Sequence, residues 1–147
     1  MDEIDRAIIK ELQTNARIAN TELADRVGLT PSPCLRRVQR LEQAGVIRGY
    51  HALIDPAAVD QSFEVFVDIE LVGQSRTIVD TFESAIVKVD RVVDARRMFG
   101  APDYHIIVAV KDVAEYETFV TDQLMNLPGL QRLQSRFPMK KLTSRNR

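Results

Sequence analysis

Arginine and glutamine side chains cluster between residues 32 and 43 of the sequence. Arg36, Gln39, Arg40 and Gln43 recur at spacings that place them on one face of a helix. Guanidinium and carboxamide groups can form paired hydrogen bonds with the major-groove edges of guanine and adenine, and a helix fits that groove. The pattern therefore predicts contact with DNA rather than covalent chemistry.

The apolar residues of the same segment define its other face. At about 100° per residue, Cys34, Leu35, Val38 and Leu41 fall on one side, which we expect to be buried. The free side has no acidic residue, although solvent-facing helices usually mix both signs of charge. A plain solvated helix is the alternative interpretation. The predicted DNA-binding residues are Ser32, Arg36, Arg37, Gln39, Arg40, Gln43 and Arg48.

Three helices are predicted to position these side chains. The first ends near Asn15, and the second is a short helix with Asn20 as its N-cap. The third runs from Pro33 to about Ala44, with Ser32 as its N-cap, and β-favouring residues follow at 46–50. Two helices joined by a short turn that contains glycine are typical of a helix-turn-helix.

Charge is distributed unevenly along the 147 residues, although the net charge is only −1. Residues 26–50 contain five arginines and one glutamate, while the stretch 51–131 is acidic. The tail from Arg132 holds six basic residues and no acid. Local basic surfaces of this kind suit phosphate contacts without moving the overall charge. The tail either contacts DNA or balances the negative charge of the acidic sandwich of a neighbouring subunit.

The composition excludes several classes of protein. With 45% hydrophobic and 28% charged residues the chain is typical of globular domains. No apolar run approaches the roughly 18 residues of a membrane span, so we expect a cytoplasmic protein without membrane contact. Cys34 has no second cysteine to pair with, and His51 and His105 are far apart, so neither a disulfide nor a metal site is expected. We expect Cys34 to be a small core residue.

The second half of the sequence reads as an alternation of strands and helices. The order strand, helix, strand, strand, helix, strand predicts a ferredoxin-like βαββαβ sandwich with the last strand at an edge, where Pro138 is tolerated. The predicted elements are Phe63–Leu71, Thr77–Val87, Val92–Phe99, Tyr104–Val110, Val113–Met125 and a strand from Leu130. The fold class is α+β, with a helix-turn-helix domain at 1–50, a linker at 51–62 and the sandwich at 63–147.

Several motifs resemble those of one known family. The run from Ile18 to Val38, with Ser-Pro-Cys-Leu-Arg-Arg-Val as its core, is similar to the Lrp/AsnC family of bacterial and archaeal transcription regulators. The segments 44–50, 54–56 and 100–104 extend the resemblance over essentially the whole chain. It implies a winged-helix-like DNA-binding domain and a nucleoid-associated regulator that responds to an amino acid. It also implies dimers formed through the sandwich, assembled further into tetramers or octamers.

The resemblance also implies where an amino-acid effector binds. Gly100 would expose backbone groups and Asp103 would lie near the ligand's ammonium group. Phe99 stands where many relatives have a small residue, so its bulk could narrow the pocket, select an apolar side chain or abolish binding. A simple turn between two strands is the alternative. The implied effector-binding residues are Met98, Phe99, Gly100, Asp103 and Tyr104, with Met125 and Asn126 from a neighbouring dimer.

Two other functions compete with a ligand-responsive regulator. One is a ligand-independent architectural protein that compacts DNA. The other is an enzyme built on Asp103 and His105, which share one face of a strand. Because no nucleophile, phosphate-binding loop or metal set accompanies this pair, we expect no enzyme and no cofactor.

Overall fold

The computed structural model describes residues 1–140 and 142. The chain divides into two compact units, one from Met1 to Leu53 and one that begins at Ile54. Of the predicted basic tail, Lys141, Arg145 and Arg147 lie outside the described residues. None of the helices within the described ranges is long and apolar enough to cross a membrane.

The first unit consists of three helices around a small apolar core. They are α1 (Glu3–Thr14), α2 (Asn20–Arg26) and α3 (Pro31–Gln43). Cys34 is fully buried, as predicted, and burial raises the pKa of its thiol. The buried residues of this core are Ile8, Leu23, Ala24, Cys34 and Leu41.

The predicted starts of α2 and α3 were wrong. Ala19 is the N-cap of α2, and the Asn20 amide Nδ2 donates a hydrogen bond to the Pro31 carbonyl at 2.8 Å. Helix α3 begins at Pro31, so Ser32 lies within its first turn. The first N–H groups of a helix have no partner in the helix, so prolines at 31 and 33 cost no hydrogen bond there.

Two turns fix the ends of the second and third helices. Gly28 follows α2 with a φ of 70°, a left-handed conformation that side chains with a Cβ rarely adopt. After α3, the backbone N–H groups of Val46 and Ile47 both donate to the Leu41 carbonyl, at 2.9 and 3.1 Å. Residues 44–47 therefore form the turn that ends the helix, and the β-favouring residues at 46–50 do not form a strand.

The second unit has the predicted βαββαβ order. Its four strands form one antiparallel sheet in the order β2-β3-β1-β4, which places β4 at an edge as predicted. The elements are a 3-10 helix (Pro56–Val59), β1 (Phe63–Leu71), α4 (Arg76–Ile86), β2 (Val92–Arg97), β3 (Tyr104–Val110), α5 (Val113–Asp122), a 3-10 turn (Leu124–Asn126) and β4 (Leu130–Arg136). The predicted ends of β2 and α5 were two to three residues too late, and Pro138 follows β4 rather than lying in it.

The core of the second unit lies on one side of the sheet. Side chains of β1 alternate, so that Val65, Val67 and Ile69 are fully buried while their neighbours are partly exposed. Phe82 of α4 packs against Tyr104 of β3 with ring centroids 4.6 Å apart. His105, which follows Tyr104 along β3, therefore projects to the other side of the sheet.

Candidate nucleic-acid interface and ligand site

The predicted face of α3 is exposed in the structure. Ser32, Arg36, Gln39, Arg40 and Gln43 are all solvent-accessible and lie along one side of the helix. The Arg36 guanidinium has neither an ion pair nor a hydrogen bond within the described ranges 1–140 and 142. Helix α3 therefore presents at least one free cation beside carboxamide and hydroxyl groups, which is a surface that can approach a polyanion.

Arg37 and Arg40, by contrast, are held by carboxylates of the first helix. Arg37 Nη1 donates to Asp2 Oδ2 at 2.7 Å and to Asp5 Oδ1 at 2.8 Å. Arg40 Nη2 donates to both oxygens of Asp5, at 2.9 and 2.8 Å. The side chain of Arg37 is 25% exposed and that of Arg40 is 60% exposed. Arg37 therefore serves mainly to position α3, while Arg40 still reaches the surface.

Asp5, which the sequence reasoning missed, is the centre of this cluster. It is 1% exposed, and among the described residues it is the one buried charged side chain. Burial alone would raise the pKa of its carboxyl, but hydrogen bonds from Arg37 and the Asp2 backbone, with the charge of Arg40, lower that pKa overall. The spacing of Asp2 and Asp5 at the start of a helix was the available signal, because it forms a capping box.

Leu35 does not lie on the buried side of α3, so that prediction was wrong. Its residue exposure is 46%, and it belongs neither to the buried cluster nor to the partly buried apolar residues around it. The buried side is centred on Cys34 and Leu41, and Leu35 is about 100° further round the helix from Cys34. Its apolar side chain stands instead at the border of the exposed polar face.

The residues after α3 supply one more exposed cation. Arg48 is exposed and lies just after the turn that ends the helix, in a segment without helix or strand structure. Tyr50 OH donates to Glu42 Oε1 at 2.8 Å, and burial together with this hydrogen bond raises the pKa of Tyr50 to about 12. Glu42 is the acidic residue of α3, and this hydrogen bond connects its carboxylate to the segment that follows the helix.

In the second unit, the loop between β2 and β3 borders an open hollow of about 710 Å³. The loop is closed by a hydrogen bond from the Met98 N–H to the Asp103 carbonyl at 2.8 Å. Gly100 has a φ of 104°, and Phe99 is fully exposed to solvent at the border of the hollow. The lining residues are Gln74, Arg97, Met98, Phe99, Gly100, Ala101 and Asp103.

The Asp103 carboxylate links this loop to the neighbouring strand end. One oxygen accepts the backbone N–H of Leu71 at 2.7 Å, and the other accepts Nε2 of Gln74 at 2.5 Å. A carboxylate has about four lone-pair directions, so two donors leave acceptor capacity for a ligand. Gln74 and Arg97 were missed by the sequence reasoning. Gln74 reaches Asp103 from the loop after β1, and Arg97 lies near it because the last residue of β2 pairs with Tyr104 of β3.

Three of the implied effector residues do not line this hollow within their own chain. Tyr104 is 4% exposed, and its hydroxyl donates to Glu83 Oε1 at 2.9 Å. Tyr104 is therefore a core residue, and burial first, and then this hydrogen bond, raises its pKa to about 12. The Asn126 amide donates to the carbonyls of Thr121 and Asp122 at the end of α5. Met125 is exposed, and the assignment of Met125 and Asn126 to the site of a neighbouring dimer stays a prediction.

The histidine of the suspected pair has a different carboxylate partner. His105 Nδ1 lies 2.8 Å from Asp68 Oδ1 on the adjacent strand, while Asp103 bonds to Leu71 and Gln74. Asp68 also pairs with Arg136, and the His105 ring stacks on Phe66. In residues 1–140 and 142, no group of three or more His, Cys, Asp or Glu side chains is placed to hold a metal ion. The arrangement ties three strands together and includes no nucleophile.

Two family models match the chain in succession. Residues 1–48 match a winged helix-turn-helix DNA-binding model, and residues 64–147 match the Lrp/AsnC ligand binding domain. The leucine-responsive regulatory protein of Klebsiella pneumoniae is 39% identical over 147 residues, which cover the whole chain and 90% of that protein. Its Escherichia coli counterpart is 38% identical with the same coverage.

Solved structures of similar sequence share the fold. An AsnC family transcriptional regulator from Agrobacterium tumefaciens is 34% identical with a TM-score of 0.93, and the match covers 100% of this chain and 95% of that one. A transcriptional regulator from Neisseria meningitidis in complex with L-methionine is 33% identical with a TM-score of 0.92. That match covers 98% of this chain and 93% of the other.

Proposed function

Because the chain belongs to the Lrp/AsnC family of transcriptional regulators, we propose that it binds a specific DNA sequence through α3 and that an amino acid bound by the second unit changes this binding. The exposed face of α3, with Arg36 free of any ion pair in the described residues, is the observation that carries the proposal. Arg36 and Gln39, whose side chains can pair with base edges, have no acidic partner among the described residues.

We assign different roles to the predicted DNA-binding residues according to their position and contacts. Arg36, Gln39 and Ser32 lie in the first two to three turns of α3, the part of a recognition helix that approaches base edges. We assign Arg40, Arg48 and Gln43 to the phosphate backbone, because they lie further along the chain and are exposed. Arg37 is assigned to positioning, since Asp2 and Asp5 already hold its guanidinium.

The hollow of the second unit offers complementary groups for an amino acid. The Asp103 carboxylate can accept the ligand's ammonium, and the guanidinium of Arg97 can pair with its carboxylate. Met98 and Phe99 are apolar and exposed, which suits an apolar ligand side chain. The relative from Neisseria meningitidis that was solved with L-methionine supports this ligand class.

We also propose that the protein self-associates and that it acts at the nucleoid. We propose dimers formed through the sandwich and larger assemblies of four or eight chains, which would act at the nucleoid in the cytoplasm. A dimer would contact half-sites about 34–36 Å apart, or a multiple of that distance. The protein is proposed to have no catalytic role, in keeping with relatives that are transcription regulators.

The test is a fluorescence-anisotropy titration of the full chain on the DNA upstream of its own gene and on a scrambled duplex of equal length. Each titration is run without ligand, with L-methionine and L-leucine separately, and with a pool of the twenty amino acids. Specific binding that shifts with an amino acid supports the proposal. The matched variants are Arg36→Ala on α3 and Arg6→Ala, an exposed arginine on α1.

The outcomes separate the competing functions. Equal affinity for the two duplexes, with no response to amino acids, would favour the architectural protein that compacts DNA. Specific binding without any ligand response would leave the DNA-binding part standing and overturn the effector part. Equal loss of affinity in Arg36→Ala and Arg6→Ala would remove the assignment of α3 as the reading helix.

A further inference from the structure

An exposed leucine stands among the polar side chains of α3. Leu35 is 46% exposed, whereas Cys34 and Leu41 on the same helix are buried. Leu35 lies three positions after Ser32 and four positions before Gln39. These spacings make the side chains neighbours on the helix surface. Leu35 therefore extends the candidate base-reading face with an apolar group.

The position of Leu35 along the helix suits contact with a base. It is the fifth residue of α3, whose N-terminal half is the part that a helix-turn-helix inserts into the major groove. The acid that comes closest in angle, Glu42, lies seven residues further on, about 10 Å along the axis. Glu42 is also held by the hydroxyl of Tyr50. The surroundings of Leu35 are therefore compatible with a phosphate-lined groove.

One base presents an apolar group in the major groove. The C5-methyl of thymine distinguishes A·T from the other pairs there, and it is recognised by apolar side chains rather than by hydrogen bonds. An isobutyl side chain beside Arg36 and Gln39 can cover such a methyl while its polar neighbours bond to adjacent bases. Because this contact removes both apolar groups from water, it favours thymine over a base without the methyl.

We propose that Leu35 reads the C5-methyl group of a thymine, and that the preferred DNA site carries an A·T pair opposite the second turn of α3. This inference rests on the proposed DNA-binding function and adds one specificity-determining residue to it. The chemical partner is a thymine methyl in duplex DNA.

The experiment replaces single thymines by deoxyuridine, which removes the methyl group and leaves base pairing intact. Binding sites are first enriched from random duplexes with the full chain. Each thymine of the enriched site is then exchanged in turn, and affinities are measured by fluorescence anisotropy at one fixed salt concentration. We expect one thymine per contacted half-site whose exchange weakens wild-type binding about three- to fivefold.

The same pair of duplexes is then given to variants of the chain. Leu35→Ala should bind the thymine and deoxyuridine duplexes equally, whereas Leu35→Met, which retains an apolar side chain, should still prefer thymine. Leu53→Ala removes another leucine of the first unit, 65% exposed and outside α3, and should keep the wild-type preference.

Each failure has a separate meaning. If a site is enriched but no exchange of thymine for deoxyuridine changes the affinity of the wild-type protein, the proposed role of Leu35 is overturned. Sequence-specific binding would still stand. A Leu35→Ala protein with the wild-type thymine preference would likewise overturn the role of Leu35. If no sequence is enriched at all, the proposed function fails, and this inference fails with it.

Discussion

Asp5 accepts a hydrogen bond from Arg37 at 2.8 Å, and this ion pair joins the first turn of α1 to the middle of α3. Asp5 is buried and Arg37 is only 25% exposed, so the pair is shielded from solvent. The same carboxylate accepts Arg40. The orientation of the candidate reading helix therefore depends on an acidic residue that lies outside that helix.

Replacing this carboxylate should destabilise the first unit. Asp5→Asn keeps the size of the side chain but removes the buried charge that pairs with Arg37 and Arg40, so that Arg37 retains only Asp2 as a charged partner. We expect a loss of about 2–3 kcal/mol in the free energy of unfolding. Urea unfolding followed by circular dichroism measures it. Glu22→Gln breaks the exposed pair with Arg26 and should cost less than about 1 kcal/mol. Similar losses in both variants would show that the Asp5 cluster stabilises the fold no more than an exposed ion pair does.

Acid should weaken the same cluster over a defined range of pH. A backbone hydrogen bond from Asp5 and the Arg37 guanidinium lower the pKa of Asp2 from 3.8 to about 2, and the pKa of Asp5 is also lowered. Both carboxylates are more acidic in the folded state, so their stabilising effect is complete above about pH 5 and is lost as the pH falls toward 2. Urea unfolding of wild type between pH 6 and 2.5 should show this loss.

The variant without the carboxylate provides the control for the pH profile. Asp5→Asn should lose less stability than wild type over the same interval, because one of the two titrating groups is missing. Parallel pH profiles for the two proteins would mean that other carboxylates cause the acid sensitivity.

The alternation of apolar residues predicted most of the fold. The bounds of β1 and β3 agree with the prediction, because apolar and polar residues alternate in β1 and β3 is almost wholly apolar. The ends of β2 and α5 and the start of α3 were less predictable. They depend on which backbone groups need hydrogen-bond partners, as at the start of α3, where Pro31 and Pro33 occupy positions whose N–H groups would have no partner in the helix.

The functional residues were less predictable than the fold. Helical spacing placed Arg36 and Gln39 on an exposed face, but it could not show that Arg37 and Arg40 share a carboxylate more than thirty residues away. Tyr104 also shows this limit, because strand alternation puts it in the core although it follows directly after Asp103. Contacts between elements distant in sequence determine these differences.

Arg36 and Arg48 should contribute to DNA binding in different ways. Arg36→Ala should weaken specific binding by about 1–3 kcal/mol and spare nonspecific DNA, because a base contact carries sequence information. Arg48→Ala should weaken both equally and reduce the slope of log affinity against log salt by about 1, since a phosphate contact releases a counterion. Anisotropy titrations at several salt concentrations measure both quantities. Identical salt slopes and specificity ratios in the two variants would contradict the division of roles.

Tyr104 should stabilise the second unit without contacting an effector. Tyr104→Phe removes the hydroxyl that donates to Glu83, and we expect a loss of about 1 kcal/mol in the free energy of unfolding. Any shift of DNA binding caused by L-methionine or L-leucine should be the same as in wild type. Thermal unfolding and anisotropy measure these two properties. If the folded variant no longer responded to the ligand, Tyr104 would be an effector-binding residue.

Asp103→Asn should separate the effector response from the fold of the loop. The asparagine carbonyl can still accept the Leu71 N–H, and Gln74 can turn its amide to present oxygen to the new NH₂ group, so the change in stability should stay near 1 kcal/mol or below. The negative charge that would pair with a ligand's ammonium is lost, which should weaken amino-acid binding at least tenfold in a calorimetric titration. Asp90→Asn, an exposed change outside the hollow, should bind the ligand like wild type. DNA affinity without ligand should be unchanged in both variants, and an Asp103→Asn protein with wild-type ligand affinity would exclude this carboxylate as the ammonium partner.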